Sequence, residues 1–385
     1  MKSTANPGES EKFSFARPFA LWIGGIWSGK NPLQLIEIAK QLPHLDFVVV
    51  GPSRDRELLE EFNKEKPPNV YYLGAVIGAK KIDLIRKCAT GISTSLRETF
   101  GWVPFEFLSE GKPVICHPLP AFKQLYRNLP IYANTTADFV RQIRVLQRSN
   151  FKTHFDRGDL LAFQERYSVE KAADAMVRRC SGRSMSVFAI DTDLSSDYVS
   201  GLFLVDWQLW KSICDKGIEF GIISNGKRYA TEFRLTERTT LIPAALLLVK
   251  EKIEYLDGSN EIGAIMVRKL LRFLAYTLEP LSYVFSFVRY ASSSEVILSE
   301  GHAQAAAAIA AKLLLRKRAM CMFHDNRLFM EPWDASRPFM VRVFSAILSR
   351  FVIRFADRVV VVSETLREQI VRFKLDPGRV GLLWP

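Results

Sequence analysis

Cysteine is scarce: there are five in 385 residues (Cys88, Cys116, Cys180, Cys214 and Cys321), far apart and with no C-x-x-C. An odd, scattered set excludes a disulfide framework and a zinc knuckle, and it fits a reducing, cytoplasmic setting. Long apolar runs are missing too. The longest, Leu241–Val249, reads LIPAALLLV, too short to cross a bilayer. The start, MKSTANPGESEKF, is polar, so residues 1–18 read as a disordered lead-in rather than a signal peptide. Neither H-E-x-x-H nor G-x-S-x-G occurs, which removes two hydrolase classes. Gly111–Ile115, GKPVI, lacks the upstream glycine and the Ser/Thr of a phosphate-binding P-loop. Asp191 and Asp193 form an acidic pair with no second acidic cluster beside it. No metal site is expected.

What is present is an ordinary globular mixture, 48% hydrophobic and 24% charged, long enough for two or three domains. The net charge of +12 favours phosphates or an anionic surface as partners. It is spread along the chain rather than gathered into a basic arm, so nucleic acid is not expected.

Residues 19–134 alternate short apolar runs with amphipathic stretches. The runs are FALWIGG (Phe19–Gly25), FVVVGP (Phe47–Pro52), VYYLG (Val70–Gly74), TGISTS (Thr90–Ser95), PVICHP (Pro113–Pro118) and LPIYAN (Leu129–Asn134). Strands this apolar are buried on both faces, as in a parallel sheet covered by helices. The second half repeats the alternation with MSVFAID, EFGIISNG, VILSE, AMCMFHD, RVVVVS and VGLLW. The predicted class is α/β, with two Rossmann-like doubly wound parallel-sheet domains at 19–184 and 185–385. The seam falls at Cys180–Ser184, where a polar helical stretch gives way to a strand opening at Met185.

Met266–Tyr290, MVRKLLRFLAYTLEPLSYVFSFVRY, sets Arg268, Lys269, Arg272 and Arg289 around Leu, Phe and Tyr. Two readings stay open: a peripheral membrane or acceptor-docking helix pair broken near Pro280, and an ordinary amphipathic helix packed on the sheet.

The sharpest motif is Ser95–Val114, SLRETFGWVPFEFLSEGKPV. A strand ends, a loop follows, and a helix opens with Pro104 in its first turn and Gly111 as its stop. Glu98 and Glu106 flank the turn. Backbone N–H groups at a helix start attract phosphate, and carboxylates accept hydrogen bonds from sugar hydroxyls. By spacing alone, two such glutamates also fit a solvated surface.

ETFGWVPFE followed by GKPVI resembles the nucleotide-sugar signature of retaining, family-4-type glycosyltransferases of the GT-B fold, which reads E-x-F-G-x-x-x-x-E and then G-x-P-V-I. The text from Phe19 to Leu146 resembles that family's donor domain throughout. The resemblance implies that Glu106 holds the ribose hydroxyls and Glu98 the donor sugar. Thr99, Phe100 and Gly101 line the same region, and Lys30 (in SGKNP) faces the diphosphate, offsetting charge on the leaving group. The family carries an arginine where this chain has Gly25; Arg97 is the candidate to replace it. The second half is similar to the acceptor domain. It places His324 at a strand end near the donor sugar and keeps Gly201 of a phosphate-admitting glycine pair. Ser363 is expected to cap the helix that follows it.

In the family the acceptor domain comes first; here the donor-like half leads, and VGLLWP ends where a linker into FALWIGG would run. The implied architecture is a circularly permuted GT-B protein. The implied activity is metal-independent transfer, with retention, of a sugar from a nucleoside diphosphate donor to a glycan or lipid-linked hydroxyl. The nucleotide sugar is a co-substrate and no other cofactor is expected. The implied location is cytoplasmic, with peripheral contact at the inner face of a membrane. Two alternatives stay open: a sugar-nucleotide epimerase or hydrolase on the same fold, and a non-catalytic membrane-associated binding module.

Overall fold

The computed structural model describes residues 17–179 except 54 and 77, then 185–187, 296–323 except 301, 350–372 and 376–383, with a few isolated positions between. Contacts divide these residues into two compact units, the first running to Ser168 and the second opening at Val169.

The first unit is built on six parallel strands. They are β1 (Phe19–Ile23), β2 (Asp46–Val50), β3 (Val70–Tyr72), β4 (Thr90–Ser93), β5 (Val114–Cys116) and β6 (Ile131–Tyr132). Their order in the sheet is β3-β2-β1-β4-β5-β6. Each coincides with one of the apolar runs predicted from sequence, β2 opening one residue earlier, at Asp46. β2, β4 and β5 are buried along their whole length, as a strand between two helical layers must be. β1 pairs with β2 from Phe19↔Asp46 to Ile23↔Val50, and on its other side with β4 from Ala20↔Thr90 to Trp22↔Ile92.

Among the described residues, this unit holds the α-helices α1 (Pro32–Lys40), α2 (Arg56–Glu65), α3 (Gly78–Lys87), α4 (Trp102–Ser109), α5 (Pro120–Tyr126), α6 (Thr136–Arg148) and α7 (Arg157–Arg166). Local chemistry starts several of them. Pro32 and Pro120 stand at first helical positions, where a missing N–H costs nothing. The Asp55 carboxylate accepts from Leu58 N at 3.0 Å to cap α2. Thr135 and Asp138 cap α6 reciprocally. The core gathers Trp22, Leu35, Ile36, Phe47, Phe62, Phe139 and Ile143, all buried.

The second unit includes helix α8 (Val169–Arg179), which buries Ala172, Ala173 and Met176. Its Asp174 pairs with Lys216 at 2.6 Å. The sheet, in the order β11-β10-β9-β8-β7, comprises β7 (Met185–Val187), β8 (Val296–Glu300), β9 (Arg318–Phe323), β10 (Arg358–Val361) and β11 (Val380–Leu382). Every pairing among these strands is parallel. Helix His302–Leu315 lays buried Ala305, Ala307, Ala308 and Ile309 toward β8 and β9. The Ser363 hydroxyl caps helix Glu364–Val371 by accepting from Leu366 N at 3.3 Å, as expected. The lead-in, the seam at Cys180–Ser184, the strand candidate EFGIISNG and all but isolated positions of Met266–Tyr290 lie outside the described residues. Among the described residues, no helix is long and apolar enough to cross a membrane.

Candidate functional site

The first sheet's order reverses between β1 and β4. Connections leave β1 toward β2 and β3 on one side and β4 toward β5 and β6 on the other. At such a reversal the loops diverge and open a crevice beyond the carboxyl ends of the strands, where open α/β sheets bind ligands. Lys30 follows β1 and Glu98 follows β4, so topology alone carries both to that crevice.

Hydrogen bonds fix the two loops to each other. Leu96 N donates to Gly29 O at 3.0 Å. Thr94, buried after β4, accepts from Trp22 Nε1 at 2.9 Å and stands 2.8 and 2.9 Å from the carbonyl oxygens of Lys30 and Asn31. Asn31 adopts left-handed geometry at φ +50°, and its side-chain amide donates to Gln34 Oε1 at 2.9 Å. His117, just past β5, places Nε2 2.8 Å from the same Gln34 oxygen. Burial pushes the His117 imidazole below its ordinary value, partly opposed by a hydrogen bond with the Ala133 backbone. On this frame the Lys30 ammonium forms an ion pair with Glu98 Oε1, with both side chains mostly out of water.

The loop from Leu96 ends at Gly101, which caps α4 in left-handed geometry, φ +79°. A β-carbon there would lie 2.1 Å from Phe122 Cε1, so only glycine fits. Tyr126, at the end of α5, reaches under this turn, its hydroxyl 2.7 Å from Gly101 O and 3.0 Å from Phe100 O. Burial, and then the Glu98 carboxylate, push its phenol well above the ordinary range, so it stays a neutral donor. Phe100 is buried, its ring centroid 4.3 Å from that of Trp102.

Glu106 lies within α4. Its Oε1 accepts from Lys81 Nζ of α3 at 2.6 Å, and the two side chains keep 21% and 13% of their surface exposed. Oε2 is buried and has no hydrogen-bond partner. Burial raises the carboxyl's pKa and Lys81 draws it back down. Farther along the same helices, Arg86 pairs with Glu110 at 2.7 Å in solvent.

The structure thus brings Lys30 and Glu98 together and places Thr99, Phe100 and Gly101 on the loop between Glu98 and α4. Gly25 lies just past β1, and Arg97 is exposed on the loop after β4. His324 and Gly201 lie outside the described residues. Sequence reasoning missed Lys81, Tyr126 and Thr94. For Lys81 a signal exists: it shares a helix face with Ile85 and Cys88, both buried, which marks it as an inward-facing lysine. Among the described residues, no three His, Cys, Asp or Glu side chains converge as metal ligands would.

Two parallel-sheet α/β domains, the first with a charged crevice at its strand reversal, define the class of the protein. Residues 17–148 match the family described as Glycosyl transferases group 1, and residues 254–384 match Glycosyltransferase Family 4. The chain therefore carries glycosyltransferase domains of the group 1 and family 4 types, in that order.

Similar solved structures include AviGT4, a glycosyltransferase involved in avilamycin A biosynthesis, at 18% identity over 39% of this chain and 46% of that one, TM-score 0.32. HepE of Anabaena, solved with UDP and glucose, is 16% identical over 45% of this chain and 50% of that one, TM-score 0.41. The C-terminal domain of a glycosyl transferase group 1 family protein from Francisella tularensis is 18% identical over 39% and 87%, TM-score 0.34. The matches span about half the length of the first two. No curated protein matches the sequence.

Proposed function

We propose that the protein transfers a sugar from a nucleoside diphosphate donor to an acceptor hydroxyl, with retention of configuration and without a metal ion. The observation that carries this reading is the meeting of Lys30 and Glu98 at the reversal of strand order, with Glu106 on the helix that follows. In this reading the donor's diphosphate takes Lys30 away from Glu98 and its negative charge is met by the ammonium. Glu98, released, accepts from hydroxyls of the sugar, while Glu106 accepts from those of the ribose. The leaving phosphate takes the acceptor's proton, so the step needs no protein base. His324 and Gly201 complete the acceptor side, and Arg97 stands in for the arginine that Gly25 replaces. The acceptor is a glycan or a lipid-linked hydroxyl, met in the cytoplasm or through peripheral contact of Met266–Tyr290 with a membrane face. The two domains stand in circularly permuted order, in keeping with the group 1 match preceding the family 4 match.

Calorimetric titration with UDP, GDP and ADP, followed by Glu106→Ala, tests the donor site. Tight binding of one nucleotide that the substitution abolishes supports it; unchanged affinity refutes it. A second reading, a binding module without turnover, is favoured by Gly25, which offers no side chain to the diphosphate. Incubation with radiolabelled nucleotide sugars and membrane extract separates the readings: label in lipid or glycan means transfer, free sugar means hydrolysis, and bound donor alone means a module.

A further inference from the structure

Lys81 stands next to Lys80 in the first turns of α3, yet the two differ: Lys80 is exposed and Lys81 is largely withdrawn from water. Helix geometry is the cause. Lys81 falls on the inner face with Ile85 and Cys88, four and seven positions on. A withdrawn ammonium needs a partner, and it finds one in Glu106 Oε1. Three other acidic groups on or beside these helices are paired elsewhere: Asp83 with Lys87, Glu110 with Arg86, Glu98 with Lys30. Burial raises the Glu106 carboxyl's pKa, and the neighbouring charge that opposes the rise is Lys81.

The other carboxylate oxygen is left over. Glu106 Oε2 is buried and accepts no hydrogen bond, and an unmet buried acceptor is costly. Both oxygens turn together about the soft terminal torsion of a glutamate, so the carboxylate can present Oε2 to a ligand while the Lys81 ammonium, on its flexible stem, follows Oε1. An ionised carboxylate only accepts; a protonated one carries a donor of its own. A hydroxyl pair needs the first kind.

We propose that Lys81 is the positioning residue of the nucleotide subsite: its ammonium holds Glu106 by Oε1 and reserves Oε2 for the ribose hydroxyls of the donor. This rests on the donor-binding reading above. Lys81 touches the carboxylate and not the nucleotide, so its effect is selective. It governs how well the protein tells a ribonucleotide from its 2′-deoxy counterpart.

The test uses the full chain and whichever of UDP, GDP or ADP it binds most tightly, beside the matching 2′-deoxynucleoside diphosphate. Wild type is expected to favour the ribonucleotide by about tenfold. Lys81→Met is expected to lose most of that preference, and Lys81→Arg to keep it. A Lys81→Met chain that folds and retains the full preference, or that weakens both nucleotides equally, overturns the proposal. The Glu106 carboxyl, followed by carbon-13 NMR in the free protein, gives a reading independent of nucleotide. Its titration is expected to move to higher pH in Lys81→Met, and to stay near wild type in Lys81→Arg; no movement in Lys81→Met overturns the proposal. Should Lys81→Met not fold, the Arg variant decides: loss of the preference with Glu106 still ionised is the contrary result, and a retained preference supports the proposal. A wild type that binds none of the nucleotides refutes the donor site itself, a result that the NMR titration keeps separate from the Lys81–Glu106 coupling.

Discussion

Helix α4 carries two sets of matched parts in different surroundings. A glycine in left-handed geometry flanks each end, Gly101 at φ +79° and Gly111 at φ +68°. Two glutamates pair with basic residues of α3, Glu106 at mid-helix with Lys81 and Glu110 at the C-terminal cap with Arg86. Gly101 is hemmed in by Phe122 and the Glu106 ion pair is largely withdrawn from water; at Gly111 the nearest atom to an added β-carbon is Leu160 Cδ2 at 3.9 Å, and Arg86 lies in solvent. Similar residue types therefore carry different weight according to their burial.

Substitutions at the paired positions sharpen that contrast. The largest effect is expected from Gly101→Ala, which adds a methyl 2.1 Å from the Phe122 ring to the ordinary left-handed penalty. Urea unfolding should show a loss of about 3–4 kcal/mol, against about 1–2 kcal/mol for Gly111→Ala, which carries only the backbone penalty. Equal losses would break the comparison.

Next comes Lys81→Met, expected to cost roughly 2–3 kcal/mol at neutral pH, because it strands Glu106 in a site that penalises its charge. The loss depends on pH. Burial raises the folded-state pKa of Glu106 and Lys81 opposes that rise, so the variant's carboxyl titrates still higher. Its folded state then binds more protons than the unfolded chain in the window above the ordinary carboxylate range, and stability falls as pH rises through that window. Melting temperatures should therefore separate wild type from variant more at pH 8 than at pH 5, and Glu106→Gln in the variant background should remove the trend.

Tyr126→Phe removes the donor shared by the carbonyls of Phe100 and Gly101. About 1–2 kcal/mol of stability should go with it, along with weaker nucleotide binding as the turn loosens; unchanged stability and binding would remove Tyr126 from the site. Smallest of all, Arg86→Met should leave the urea midpoint unchanged, since exposed pairs of this kind contribute little.

Much of this was legible in the sequence. The apolar runs named every described strand of both sheets, and the motif around Glu98 and Glu106 marked out the loop after β4 and the helix that follows it. The order β3-β2-β1-β4-β5-β6 was not readable from periodicity, because a strand's pattern records its burial and not its neighbour. The pairings were hidden for the same reason. Lys30 and Glu98 stand 68 positions apart, Lys81 and Glu106 25, and only the folded sheet brings them together. Tyr126 looked like one more apolar residue on α5, beside Phe122 and Leu125, because its hydroxyl does its work beneath a loop from another strand.

The bond from Leu96 N to Gly29 O, with Thr94 set against the carbonyls of Lys30 and Asn31, makes the segments after β1 and β4 a single mechanical part. Lengthening one by a residue would drag the other out of register. Anyone grafting this crevice onto a different scaffold would have to move both segments together, with Trp22 beneath them as the shared anchor.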